Sequence, residues 1–101
     1  MVKLIALYTK PHDTQAFEKH YFETHIPLNA KTPGLKRTEI TRIEGSPMGE
    51  PRYYMMAEMY FDDMDTLNSA MKSPEAAAAG KDLMSFAKGL VHLMVAKVEE
   101  V

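Results

Sequence analysis

Arg52-Tyr-Tyr-Met-Met-Ala-Glu-Met-Tyr-Phe61 decides the fold, because at a period of two it reads as a strand with two unlike faces. Tyr53, Met55, Ala57, Met59 and Phe61 form one wholly apolar face, whereas Tyr54, Met56, Glu58 and Tyr60 form another that differs by one carboxylate. The uniform face is the natural bed for helices, and the mixed one needs a different cover.

Working outward, Gly45-Ser-Pro47-Met-Gly49-Glu-Pro51 ends an earlier strand over Leu35 to Ile43, in which Thr38, Ile40, Thr41 and Ile43 alternate with charges. The two strands make a hairpin. Residues 2 to 9 alternate around a short apolar centre and read as the first strand, after which Lys10-Pro11-His12-Asp13 supplies a breaker and a helix N-cap. The first helix runs from about Thr14 to Thr24, with Phe17, His20, Tyr21 and Thr24 on its stripe and Glu18, Lys19 and Glu23 turned to water. Pro27 cannot continue it, so His25 is expected at the helix C-terminus, where the dipole favours a cation.

Downstream, Asp62 or Asp63 caps a second helix with Met64, Leu67, Ala70 and Met71 on its stripe, and Ser73-Pro74 restarts helix with a good N-cap and N1 pair. Gly80 either kinks or ends this segment, Leu83 to Ala87 adds a further turn or two, and Gly89 stops it. Leu90 to Glu99 is the last strand, with Val91, Leu93 and Val95 toward the helices. The order β-α-β-β-α-β defines an α+β, ferredoxin-like protomer: a four-stranded antiparallel sheet with helices on one face. The other face then carries Tyr54, Met56, Glu58, Tyr60, His92 and Met94, too apolar for water and too polar for a plain core. It reads as a pocket wall, closed by a second copy of the chain.

The 101 residues, 46% apolar and 26% charged, have the composition of one ordinary soluble domain spanning 1–101. A body this small buries about two-thirds of its unfolded surface, which favours covering a spare sheet face by dimerisation. With no cysteine there is no disulfide framework, thiolate nucleophile or sulfur metal site, in keeping with a cytoplasmic protein. The apolar run Leu4 to Leu7 is too short for a signal-peptide core, and no later run spans a bilayer. The formal charge of −2 comes from interspersed acids and bases, which disfavours nucleic acid and anionic membranes as partners. The third strand also lacks the glycine and aromatic spacing of an RNA-recognition sheet, and Glu58 would repel phosphate. Nine methionines fill irregular gaps or line an adaptable pocket.

Tyr21-Phe22-Glu-Thr-His25-Ile-Pro27-Leu28, the Pro33-Gly34-Leu35 turn, the Ala57-Glu58-Met-Tyr-Phe61 strand end and Ser73-Pro74-Glu75 together resemble the EthD family, named for ethyl tert-butyl ether degradation. The resemblance covers nearly the whole chain. It implies a dimeric α+β barrel, in which ferredoxin-like protomers face each other across their sheets and each holds a small-molecule cavity. The implied activities of the wider superfamily include cofactor-free oxygenation, lactone isomerisation, polyketide cyclisation and haem chemistry, so the fold does not name the reaction. On this resemblance His25 matches the family's His-x-Pro-Leu histidine and Glu58 its acidic strand residue. Phe22 stands where such families usually offer a tryptophan, and this chain has none.

His25, Glu58 and His92 are the acid–base candidates, with Tyr8, Tyr54, Met56, Tyr60 and Met94 as substrate contacts. A desolvated carboxylate is pushed toward protonation and imidazole titrates near neutrality, a pairing suited to proton transfer beside a carbonyl. The plainer roles are equally open: Glu58 satisfying a buried partner, His92 bonded within a dimer interface, His25 fixing a loop, and Tyr54 and Tyr60 packing. No metal and no cofactor are expected. His20 and His25 lie five residues apart, about 140° around an α-helix, and a site from His25, Glu58 and His92 would need three remote segments to meet. The expected function is cofactor-independent oxygenation or isomerase-type proton transfer on a small apolar metabolite. The rival is a non-catalytic ligand carrier.

Overall fold

The structure, a computed structural model, describes residues 1–101. Strands β1 (Val2–Tyr8), β2 (Arg37–Arg42), β3 (Met55–Phe61) and β4 (Val91–Lys97) form one sheet in the order β2-β3-β1-β4, each neighbouring pair antiparallel. The helical elements are α1 (Thr14–His20), a π turn (Tyr21–His25), α2 (Ile26–Asn29), α3 (Met64–Met71) and α4 (Pro74–Ala87). The expected ferredoxin-like α+β architecture is therefore the one observed. The caps named from sequence act as caps: Asp13, Asp63 and Ser73 accept from the backbone N–H groups of Ala16, Thr66 and Ala76 at 3.0, 2.8 and 3.1 Å.

Two corrections bear on the site. The first helical stretch does not end at His25. The Ile26 N–H bonds back to the Tyr21 carbonyl, an i to i−5 step, and the chain continues helically through Pro27 to Asn29. The widened turn makes room for the proline ring that a plain α-helix would exclude. His25 thus sits inside a helical run, away from any free C-terminus. The second correction concerns β3, which begins only at Met55. Ahead of that point strict alternation lapses: Tyr53 stands edge-on to His92 at 6.2 Å, and Tyr54 packs on Phe17 at 6.2 Å and donates to Glu18. Tyr54 therefore belongs to the helix side and Tyr53 to the side of His92, the reverse of the expected assignment.

From Met55 onward the two faces are as read. Met55, Ala57, Met59 and Phe61 are buried beneath the helices. They join two core clusters, one around Tyr8, Phe17, Tyr21, Leu83 and Ala87, the other around Val2, Leu67 and Ala70. Gly80 neither ends nor breaks α4, which runs through it. The helices cover the sheet unevenly, because Leu93 and Val95 on the helix side of β4 remain 51% exposed, as does 41% of Met94 on the other side. No helix is long and apolar enough to cross a membrane.

Candidate functional site

A cavity of about 120 Å³ lies on the helix side of the sheet. Ala6, Ala57 and Met59 form its floor, and Ala79, Gly80 and Leu83 of α4 stand over it. Because Ala57 and Met59 point into it, Glu58 between them must point away. The lining is mainly apolar, with one polar end supplied by His25, Asn29 and Thr32. Leu93, on a strand that the helices leave half open, lines the side toward β4.

The π turn builds the polar end. In an α-helix residues five apart diverge by about 140°, but a turn closed by an i to i−5 bond brings them to nearly the same side. His20 and His25 consequently converge, against the expectation from α-helical spacing. His20 Nε2 lies 2.8 Å from Asp82 Oδ1 and His25 Nδ1 lies 3.0 Å from Asp82 Oδ2, so one carboxylate of α4 binds both imidazoles. Nε2 of His25 is 3.1 Å from the Asn29 amide nitrogen, which donates to it. This network assigns His25 the tautomer with its proton on Nδ1 toward Asp82, leaving the Nε2 lone pair on the side of Asn29. The Phe86 ring packs on both imidazoles, 4.5 Å from that of His20 and 5.2 Å from that of His25.

His25 is 3% exposed. Burial lowers its pKa below the ordinary 6.5, and the hydrogen bond and charge of Asp82 offset only part of that effect. The imidazole is therefore neutral at pH 7, the opposite of the cation expected at a helix end. Tyr8, the other nominated residue in the lining, is pushed up to about 12 by burial and stays a hydroxyl donor. The Tyr21 hydroxyl is buried beside it without a partner of hydrogen-bond geometry.

The remaining nominated residues stand elsewhere. Glu58 pairs with Lys3 on the open face, directly across from Glu39, whose carboxylate accepts from the Tyr60 hydroxyl at 2.9 Å. The Arg37 guanidinium lies 4.2 Å from the Tyr60 ring centroid. Met56, Met94 and His92 share that face, and His92 is exposed. Tyr54 is turned to α1, where its hydroxyl, pushed up to about 12 by desolvation and the bond to Glu18, remains protonated. Glu58 and His92 thus lie across the sheet from His25, and the three do not meet. No group of three or more acids and imidazoles is arranged to hold a metal ion.

Asp82, Asn29 and Thr32 were the residues sequence reasoning missed. The signal for Asp82 was its place between Ala79 and Leu83 on the buried side of α4, where a carboxylate requires a partner.

These features define a ferredoxin-like α+β protomer with a largely apolar, helix-side chamber and one oriented imidazole at its end. The chain belongs to the EthD family: the EthD domain model matches residues 10–89. A relative from Rhodococcus erythropolis, an uncharacterized 11.0 kDa protein in the thcB-thcC intergenic region, is 31% identical over all of this chain and 98% of its own. An ethyl tert-butyl ether degradation family protein from Bacillus halodurans is 55% identical, with TM-score 0.94 over 98% of this chain and 99% of that one. Two more distant structures share the fold. SnoaB, a cofactor-independent oxygenase from Streptomyces nogalater, is 16% identical with TM-score 0.71 over 99% and 94% of the two chains. A dimeric ferredoxin-like protein of unknown function from Thermobifida fusca is 16% identical, with TM-score 0.71 over 96% and 90%.

Proposed function

We propose that the protein is an enzyme in which His25, oriented by Asp82, takes a proton from a small, largely apolar molecule held in the helix-side cavity. The observation that carries this reading is the Asp82–His25–Asn29 chain at the polar end of an otherwise greasy chamber. It has the parts a general base needs: a neutral imidazole, a carboxylate fixing its tautomer, and an Nε2 lone pair at the polar end of the cavity, which the Asn29 amide holds at rest and must yield to the substrate's proton. The proton leaves a C–H or O–H of the substrate for Nε2, and the resulting anion lies beside the Asn29 amide and the Thr32 hydroxyl. Return of the proton at another carbon is isomerisation; attack of the anion on dioxygen is the oxygenation that SnoaB's description suggests by analogy of fold. We assign no catalytic part to Glu58 or His92, and the working form is a homodimer.

The test uses small cyclic ketones and phenols in D₂O, following carbon-bound deuterium by NMR and oxygen uptake in parallel. At least one probe is expected to be exchanged or consumed, and His25→Gln is expected to slow it by about 10²- to 10⁴-fold. Probes that shift the His25 resonances, yet neither exchange nor consume oxygen, would instead make the protein a carrier.

A further inference from the structure

The Tyr21 hydroxyl is the one buried side-chain polar atom that no group of the protein satisfies. An unpaired buried hydroxyl costs stability, so its retention calls for a partner that completes it. The Tyr21 ring is bracketed by two groups of the cavity lining: the Tyr8 ring stands edge-on to it at 5.4 Å, and the His25 ring stacks on it at 5.8 Å. The effect of the two tyrosine hydroxyls on each other has the sense of Tyr21 donating toward Tyr8, although the bond is not closed. We propose that Tyr8, backed by Tyr21, is the donor that receives an oxygen of the ligand, so that the chamber selects a ketone or phenol over a hydrocarbon of the same shape. This role rests on the general-base reading for the ligand's place beside His25, and adds the Tyr8 hydroxyl to the donors facing the anion.

Burial raises the pKa of Tyr8 to about 12, so at neutral pH it keeps its proton and donates. While that proton points to the ligand's oxygen, the Tyr8 oxygen still has lone pairs for the Tyr21 proton, and a hydroxyl that accepts is the better donor. Both hydroxyls are then satisfied in one chain, from Tyr21 to Tyr8 to ligand. The rings are held in place for it: Phe17 packs edge-on to Tyr8 at 5.6 Å and stacks on Tyr21 at 5.7 Å, so rotation of the hydroxyls suffices to close the chain. Asn29, another donor in the lining, is engaged at rest by His25. No proton leaves either tyrosine. The one taken from the ligand goes to His25 Nε2, and the electron pair left behind is drawn onto the oxygen that Tyr8 holds.

The test uses NMR of the parent, Tyr8→Phe and Tyr21→Phe with three probes: cyclohexanone labelled with ¹³C at its carbonyl, phenol, and toluene. Each substitution removes one oxygen and keeps the ring. The carbonyl resonance of the bound ketone is expected downfield of its position in apolar solvent, by less in Tyr21→Phe and by least in Tyr8→Phe. Affinity for phenol relative to toluene is expected to fall about tenfold in Tyr8→Phe. A smaller fall is expected in Tyr21→Phe, which a residue that only packs would not produce. A parent that binds neither oxygenated probe, or that binds the ketone with no downfield displacement, overturns the proposal without recourse to any variant. So does a Tyr8→Phe protein that keeps the parent's displacement and preference. His25→Gln is expected to retain the carbonyl displacement. Absence of proton exchange with the displacement intact therefore counts against the general base alone, and exchange without the displacement counts against Tyr8 alone.

Discussion

At the scale of single residues, the controlling contest is at His25, where burial opposes a carboxylate. Burial wins, and the folded-state pKa falls below 6.5. Above 6.5 the imidazole is neutral in both folded and unfolded chains, and its contribution to stability is fully present. As pH falls below 6.5 the unfolded chain takes up a proton that the folded chain resists, so that contribution is lost progressively down to the folded-state pKa. We therefore expect the urea midpoint of the parent to drop between pH 7.5 and pH 5.5 by more than that of His25→Gln. An equal drop in both proteins would place the imidazole outside the buried network. The importance of His25 was legible in the sequence, because a histidine followed by the Ile26-Pro27-Leu28 punctuation stands out. Its charge state was not, since that is set by burial in the folded chain against the opposing pull of Asp82, fifty-seven positions away in sequence, and both are invisible to local patterning.

At the scale of elements, two glycines, one in the Pro33-Gly34-Leu35 turn and one inside α4, make opposite demands. Gly34 sits in the left-handed region at φ +79°, and a Cβ there would come within 2.6 Å of the Thr66 methyl on α3. Gly34→Ala is expected to cost about 2 kcal/mol or more from backbone strain and overpacking together, read as a lower urea midpoint. Gly80 has helical geometry, and a methyl added there would meet nothing within 4 Å, so Gly80→Ala is expected to gain about 1 kcal/mol from helix propensity. The same substitution narrows the cavity wall, and weaker binding of the ketone and phenol probes should accompany the gain in stability. The elements themselves were legible wherever a period and a cap agreed, as at Asp13, Asp63 and Ser73. They were misread where the backbone inserts or drops a step: Pro27 signals a stop only if the preceding turn is α, and the face of Tyr54 follows from alternation only if the strand has already begun.

At the scale of the whole molecule, the sheet presents two surfaces with different work to do. The helix side encloses the chamber. The open side arranges Glu39 and Glu58 opposite each other, Glu58 paired with Lys3 and Glu39 bonded by the Tyr60 hydroxyl and balanced by Arg37 at 3.9 Å, among Ile5, Leu7, Met56 and Met94. Like charges placed cross-strand would repel if each lacked a partner, and the pairing leaves this face neutral enough to be buried. The edge strand β4 adds apolar side chains exposed on both of its faces, the pattern that native edge strands avoid unless another chain covers them. The alternation in β3 made the mixed face legible, but not the location of the chamber, which depends on how far α4 stands off the small residues Ala6 and Ala57. Val95 tests the covering copy without touching the cavity, because it is half exposed on β4 and absent from the lining. Light scattering of the parent is expected to give the mass of two chains, and Val95→Glu to shift the protein toward one chain at micromolar concentration, through burial of an unpaired charge. A parent that scatters as a single chain, or a Val95→Glu protein that stays paired, would mean that β4 is not what a second copy covers.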